Sequence, residues 1–265
     1  MTDPADHLAW PDHLEQVVEQ LDGFDRVVVL SETDSTQDAA RRESARPGSV
    51  FLAGRQLAGR GRQGRVWADD LAQGVAMTMV VPLEDSAHLC TRAAVALARA
   101  LVPGLEQVRI HAGIKWPNDL VLISPGPRKV AGILVEGHED CALVGIGVNV
   151  HTREWPGELV RSAASLAEVG LRIPRITVIE QVLLEWNAVR LFSREQLVTA
   201  YAQHDLLTGA FAVIEDGADR FEGRVRSVDP FAGIELETTG GLRRIDPQRA
   251  HVIDWQLPDG LKRGH

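Results

Sequence analysis

The spacing of apolar residues changes period several times along the chain, and each change predicts an element. Residues 11–22, PDHLEQVVEQLD, begin with Pro and set Leu14, Val17, Val18 and Leu21 on one helical face. RVVVL then reads as a strand, and Ser35 with Asp38 forms a capping-box-like pair ahead of the polar helix STQDAARRES. SVFLAGRQ and the alternating, β-branched GVAMTMVVPL read as strands on either side of a glycine-rich loop. Ser86 is placed to cap a helix, AHLCTRAAVALARALV, that stops at Pro103 and Gly104. Thr177 and Glu180 make a second capping box before VIEQVLLEWNAVRLF. Strands are expected at 107–111, 120–123, 130–135 and 142–150. Irregular alternation of this kind predicts an α+β fold with a mixed or antiparallel sheet.

After Leu207 the pattern shortens. GAFAVIEDG, DRFEGRVRSVD, GIELETTGGLRRID and HVIDW are brief strand candidates divided by Asp-Gly, Asp-Pro and Gly-Gly turns, as in a small β-barrel. A main domain at 1–206 and a small one at 207–265 are therefore expected, within what 265 residues at 45% hydrophobic content can bury. No apolar run approaches the roughly 18 residues of a membrane helix, and MTDPADHLAWPDH has neither a basic flank nor an apolar signal segment. A cytoplasmic protein without a membrane partner is expected. Cys90 and Cys141 lack an x-x-C neighbour, which predicts buried thiols rather than a disulfide or zinc site. The net charge of −9 argues against nucleic acid as a partner.

One stretch departs from that charge. From Phe51 to Ala68 there are four arginines and no acid, although Asp and Glu outnumber Lys and Arg by 37 to 28. Arginine's planar fork suits phosphate and carboxylate, so this segment points to anion binding. Gly59, Gly61 and Gly64 also fit the dinucleotide pattern G-x-G-x-x-G, and Glu84 lies near the right distance. That fingerprint must open a helix, whereas a strand follows here, so an NAD-dependent oxidoreductase is disfavoured. A glycine-rich loop between two strands keeps its amides and arginines available to close over an anion.

Two further constellations carry chemistry. In ALVGIGVNV the period of two puts Gly145, Gly147 and Asn149 on one face and Val144, Ile146 and Val148 on the other. Such glycines mark either close packing of a helix or the approach of a ligand, and Asn149 favours the ligand. In IKWPNDLVLISPGPRKVAGILVEG, Pro117 holds Trp116 extended, PND turns the chain and SPGP closes a hairpin. Lys115, Asn118, Asp119 and Lys129 gather near the strand ends. Singly, each is a solvated charge or a turn residue; four beside a glycine-floored strand favour a site. Ideal parity sends Lys129 and Gly132 to opposite faces, so Lys129 must sit at an irregular strand entry or Gly132 must contribute backbone alone.

QLAGRGRQGRVW, KWPNDL, KVAGILVEG and GIGVNV, in this order and ahead of a small β domain, resemble the biotin protein ligase family over roughly residues 28–255. The resemblance implies a catalytic domain of the biotin/lipoate protein ligase type with an SH3-like C-terminal barrel. It also implies a two-step reaction: biotin and ATP, with Mg2+, give biotinyl-5′-AMP and pyrophosphate, and a lysine of a biotin carboxyl carrier domain takes the acyl group. By this resemblance Lys129, Arg62 and Asp119 are catalytic. Ser35, Thr36, Gln37, Gln56, Gly59, Arg60, Gly61, Arg62, Trp67, Lys129, Gly132, Gly145 and Gly147 meet biotin. Arg60, Arg62, Arg65, Trp67, Asn118, Lys129 and Asn149 meet ATP or the adenylate, and no resident metal site is implied.

Two departures qualify the match: Gln37 replaces the family's Asn, and residues 162–166 offer no aromatic for adenine, which leaves that role to Trp155 or to nothing. About 25 residues precede the first strand, too few for the winged helix of bifunctional relatives, so a ligase without repressor activity is expected, monomeric or dimerising on ligand. A lipoate-protein ligase and a non-catalytic biotin-sensing regulator are the alternatives. The latter should lack Lys129 and Arg62.

Overall fold

The apolar face of residues 11–22 becomes α1 (Trp10–Val18), preceded by a 3-10 turn at Asp6–Ala9 and followed by a looser turn that still buries Leu21. The computed structural model describes residues 6–67, 72–124, 126–157, 159–246 and 250–257; Ala68, Pro125 of the SPGP turn and, in the proposed C-terminal domain, 247–249 and 258–265 lie outside them. The remaining helices are α2 (Thr36–Arg42), α3 (Ser86–Gln107), α4 (Leu159–Ser162), α5 (Arg175–Val189) and α6 (Arg194–Ala202). The strands are β1 (Arg26–Thr33), β2 (Ser49–Gln56), β3 (Gly59–Arg60), β4 (Val66–Trp67), β5 (Val75–Pro82), β6 (Ala112–Lys115), β7 (Asp119–Leu122), β8 (Arg128–His138) and β9 (Cys141–Val148).

Seven of these form one mixed sheet in the order β1-β2-β5-β9-β8-β7-β6, with β1 and β2 parallel and every other pair antiparallel. One face presents Val50, Leu52, Met77, Met79, Val144, Ile146 and Val148 to the main core, which α3 and α5 complete. The opposite face is divided. At one end Phe51, Val80 and Leu143 pack beneath Ala39 and Ala40 of α2, whose Gln37 reaches over Gly145, while further along Gly132 and Gly147 lie beneath Lys129 and Trp67 rather than a helix. The C-terminal strands are β10 (Phe211–Asp216), β11 (Asp219–Asp229), β12 (Gly233–Thr238), β13 (Gly241–Ile245) and β14 (Ala250–Gln256). They form an antiparallel sheet in the order β13-β12-β11-β10-β14, bent by irregular register at Val213 and Val225, as an SH3-like unit requires. Its Val225, Ile234 and Leu236 join the same core cluster as the main sheet.

The α+β class with a mixed sheet is borne out, and several local expectations are corrected. α3 does not stop at Pro103 but runs on to Gln107, because Leu101, Val102 and Leu105 are all buried and their packing outweighs the hydrogen bond that proline removes. The segment 107–111 is accordingly the end of a helix and a turn, and the strand begins at Ala112. Asp85 rather than Ser86 caps α3, accepting from the His88 amide, while α5 starts after Pro174 with no side-chain cap from Thr177. Ser35 does cap α2 through the Asp38 amide. The bond between Trp116 and Pro117 is cis. Cys90 lies in α3 and Cys141 in β9, both as free thiols; burial pushes the Cys90 thiol up to about 11.

Leu97 sits in the middle of α3 at 1% exposure. Leu97→Ala should lower unfolding free energy by about 2–5 kcal/mol, the usual cost of an unfilled core cavity, measured as a shift of the urea midpoint at constant slope.

Candidate functional site

Register across the sheet builds the floor of the site. Ala53, Ala76, Gly147, Gly132, Asp119 and Lys115 are successive cross-strand partners on β2, β5, β9, β8, β7 and β6. Cross-strand partners point to one face, so this row runs from two alanines through two bare backbones to a carboxylate and an ammonium. The parity conflict between Lys129 and Gly132 is settled by a bulge. Leu120 pairs with Ala131 but Val121 pairs with Lys129, which leaves Val130 as the extra residue. A Cβ on Gly132 would lie 2.6 Å from the Lys129 ammonium, so both belong to the same face. The Asn149 amide bonds to the freed Val130 carbonyl and its side chain donates to the Lys129 carbonyl, fixing the bulge.

The floor opens into a cavity of about 360 Å³. Every site residue expected from the sequence lines it except Gly59, which pairs with Trp67 at the base of the β3–β4 hairpin. A side chain on Gly59 would meet the Trp67 carbonyl at 2.6 Å. This hairpin, with a 3-10 turn at Arg62–Gly64, is the glycine-rich loop folded over the sheet. The Trp67 indole lies on Gly147, where an added Cβ would come within 2.6 Å of its ring, and the Lys129 ammonium sits 5.4 Å from the ring centroid.

The end of the cavity near α2 is polar and buried. Gln56 Oε1 accepts from the Thr36 amide at 2.8 Å and from its hydroxyl at 3.2 Å, and that hydroxyl also lies 2.8 Å from Thr78 Oγ1. Gln37 lies over Gly145 and donates to the carbonyls of Leu134 and Leu143. Ser35, Thr36, Gln37 and Gln56 are all buried. Hydroxyls and amides are the mixed donors and acceptors a neutral polar ring needs.

The other end is cationic. Arg62, Arg65, Lys115 and Lys129 line it, with Arg60 on the cavity wall toward α2, and among the described lining residues Asp119 carries the only carboxylate. Arg60 is neutralised elsewhere: it joins Asp38 at 3.0 Å and Glu136 at 2.9 Å, both also held by Arg41. Asp119 pairs with Lys129 at 2.6 Å. Arg62 donates to Asn118 Oδ1 at 3.3 Å, while Asn118 Nδ2 donates to the Ile133 carbonyl. Burial holds the Lys115 pKa below its ordinary value, with the charges of Lys129 and Arg65 acting in the same direction.

Residues missed by the sequence reading complete the walls. Lys115 was noted for its neighbourhood but not assigned; it donates to the Val252 carbonyl of β14 at 2.9 Å. His251, beside it, also lines the cavity and meets Glu215 at 3.1 Å. Nothing local in HVIDW signals this, since the contact arises from how the C-terminal sheet docks. Trp155 does line the cavity, its indole nitrogen donating to Glu168 at 3.0 Å. Among the described residues no cluster of three or more His, Cys, Asp or Glu could hold a metal.

A floor of bare backbone, a polar buried end and a cationic mouth define a ligase-type site on a mixed sheet. Residues 28–152 match the Biotin/lipoate A/B protein ligase family. The chain is 32% identical to the bifunctional ligase/repressor BirA of Bacillus subtilis, over 82% of this chain and 70% of that protein. It is 29% identical to the biotin--[acetyl-CoA-carboxylase] ligase of Mycobacterium tuberculosis, over 85% of this chain and 88% of that one. The structure of the biotin protein ligase from Aquifex aeolicus in complex with biotin and ATP superposes with a TM-score of 0.75 at 26% identity, covering 86% of this chain and 99% of the other. The chain belongs to the biotin protein ligase family and is an enzyme of that ligase class.

Gly147→Ala should push the Trp67 indole off the floor and lift the hairpin. Trypsin cleavage after Arg60, Arg62 or Arg65 should then speed up by about tenfold, as expected when a local contact of about 1.4 kcal/mol is lost. Cleavage at the wild-type rate would show that Trp67 does not hold the loop down.

Proposed function

We propose that this chain activates biotin with ATP and transfers it to a lysine of a biotin carboxyl carrier domain. The observation that carries this reading is the concentration of cations at one end of a glycine-floored cavity in a chain of net charge −9. A biotin carboxylate oxygen attacks the α-phosphorus of ATP, and the bond to the bridging oxygen breaks, releasing pyrophosphate. The lysine amine of the carrier then attacks the acyl carbon, AMP departs, and the amine's proton goes to solvent or to a nearby base. Little covalent work falls to the protein in the first step, so positioning and charge stabilisation dominate.

The buried group of Ser35, Thr36, Gln37 and Gln56 serves the ureido ring, and Trp67 covers the bicycle. Gly132, Gly145 and Gly147 leave room for the ligand, while Gly59 and Gly61 shape the hairpin. Lys129, tethered by Asp119, meets the carboxylate and α-phosphate, and Arg62 with Arg65 holds the phosphate. Arg60 ties the closed hairpin to α2 and β8. Asn118 orients Arg62, Asn149 supports the Lys129 backbone at the adenine side, and Trp155 is the aromatic available there. Asp119 positions Lys129 and stands ready to receive the ammonium of the incoming lysine. The described residues do not form a cage for magnesium. Magnesium enters with the nucleotide, its usual habit with phosphates.

Incubation with ATP, magnesium, a carrier domain and either biotin or lipoate tests the reading directly; acyl transfer of lipoate in preference to biotin would overturn it. Lys129→Ala should cut biotin-dependent pyrophosphate exchange by about 10²–10³, the usual loss of one transition-state charge contact, with the fold intact by circular dichroism. Arg62→Gly should release the adenylate prematurely, so that bystander proteins without a carrier domain become biotinylated. Labelling confined to the carrier would shift the retaining role to Arg65 or Lys129.

A further inference from the structure

The glycine-rich loop leaves the sheet where the β2–β5 ladder stops. Pairing runs from Val50 and Met79 to Ala53 and Ala76, and beyond that point the two chains part to form the loop. Carbonyls at such an opening lose their ladder partners and, once buried, need another donor. One side chain supplies it for both stems. Arg175, the first residue of α5 and 1% exposed, donates through a single nitrogen to the Gly54 carbonyl at 3.0 Å and the Gly74 carbonyl at 3.2 Å.

A buried guanidinium needs a counterion, and Asp6 of the N-terminal turn provides it, bonding to both Nε and Nη2. The guanidinium carbon also lies 4.8 Å from the centroid of the Trp10 ring. The same turn closes on the stem itself: a Cβ on Gly54 would strike the His7 ring at 2.7 Å. Further bonds finish the loop's roots, from the Leu57 and Ala58 amides to the Thr33 and Asp34 carbonyls, and from the His151 amide to the Gln73 carbonyl. Neither Arg175 nor Asp6 lines the cavity.

We infer that Arg175, held by Asp6, is a positioning residue for the loop: it fixes the spacing of the two stems and thereby how long the closed hairpin retains the reaction intermediate. The inference rests on the proposed ligase reading. Loops are long levers, and a shift at two roots is magnified at Arg62 and Trp67, whereas Gly132, Gly147 and Lys129, deeper in the sheet, are held by register and move less. Removing the counterion leaves Arg175 buried with its charge uncompensated, so it turns away from the carbonyls toward water or another acid.

The full chain carrying Asp6→Asn, Arg175→Lys or Arg175→Met should be compared with wild type in three measurements. These are the melting temperature, the dissociation rate of labelled biotinyl-5′-AMP chased with unlabelled biotin, and trypsin cleavage after Arg60, Arg62 or Arg65 with ligands bound. Asp6→Asn should speed adenylate dissociation about tenfold, the worth of one charge-assisted contact, and restore cleavage, while the affinity for biotin alone, which Trp67 shares with the buried polar end, falls by a clearly smaller factor. Arg175→Lys should fall between wild type and Asp6→Asn. If Arg175→Met does not fold, Asp6→Asn decides. Unchanged adenylate dissociation in Asp6→Asn, whether or not melting falls, overturns the inference, and so does an equal loss of biotin affinity. If wild type makes no adenylate, it is the ligase reading that fails instead.

Discussion

Between Leu120 and Val121 the register of β7 with β8 slips by one residue, and the extra residue on β8 is Val130. Without that slip the Lys129 side chain would point to the core face, where Val130 is now fully buried. A buried lysine among aliphatic side chains would cost several kcal/mol or lose its proton. With the slip, Lys129 stands on the cavity face beside Asp119 and next to Gly132. The bulge is supported from outside the pair: Asn149 occupies the Val130 and Lys129 carbonyls, and the Ala164 amide takes the Lys129 carbonyl as well. The cationic end of the site therefore depends on backbone hydrogen bonding as much as on any charge.

The row from Ala53 to Lys115 shows why small residues are tolerated in the middle of this sheet. Glycine weakens a strand by roughly 0.5–1 kcal/mol relative to alanine. Here the missing side chains are replaced by Trp67, whose ring covers Gly147 and approaches Gly132, and by Gln37 over Gly145. These groups come from the loop and from α2 and contact the floor without being part of it. The indole therefore forms part of the cavity wall above the glycine floor, in contact with its backbone.

Charge is distributed unevenly along the closed hairpin. Arg60 shares Asp38 and Glu136 with Arg41 and fastens the hairpin, while Arg62 donates to the neutral amide of Asn118. Lys115 bonds the β14 backbone. The C-terminal sheet thus forms a wall of the cavity, and the shared apolar core keeps it there.

Much of this was legible in the sequence. The glycine-free and glycine-bearing faces of β9, the Ser35 cap of α2, the strands on both sides of the arginine-rich loop and the antiparallel C-terminal strands follow from period, capping and turn chemistry, which act over a few residues. So do the local excess of arginine in this loop and the strand after it, which separates it from a dinucleotide turn. Burial overrode the local signal at Pro103, where packing of Leu101 and Leu105 carried α3 onward. What only the tertiary structure decided lies across distances that no local pattern spans. The bulge at Val130 arises from competition between two strands and Asn149. His251 and Val252 reach the cavity because a second sheet docks against the first. Arg175 holds both roots of a loop more than a hundred residues earlier in the chain. A sequence records which groups can donate and accept; which of them are left without a neighbour, and so must find a distant one, is fixed only when the sheet has closed and water has gone.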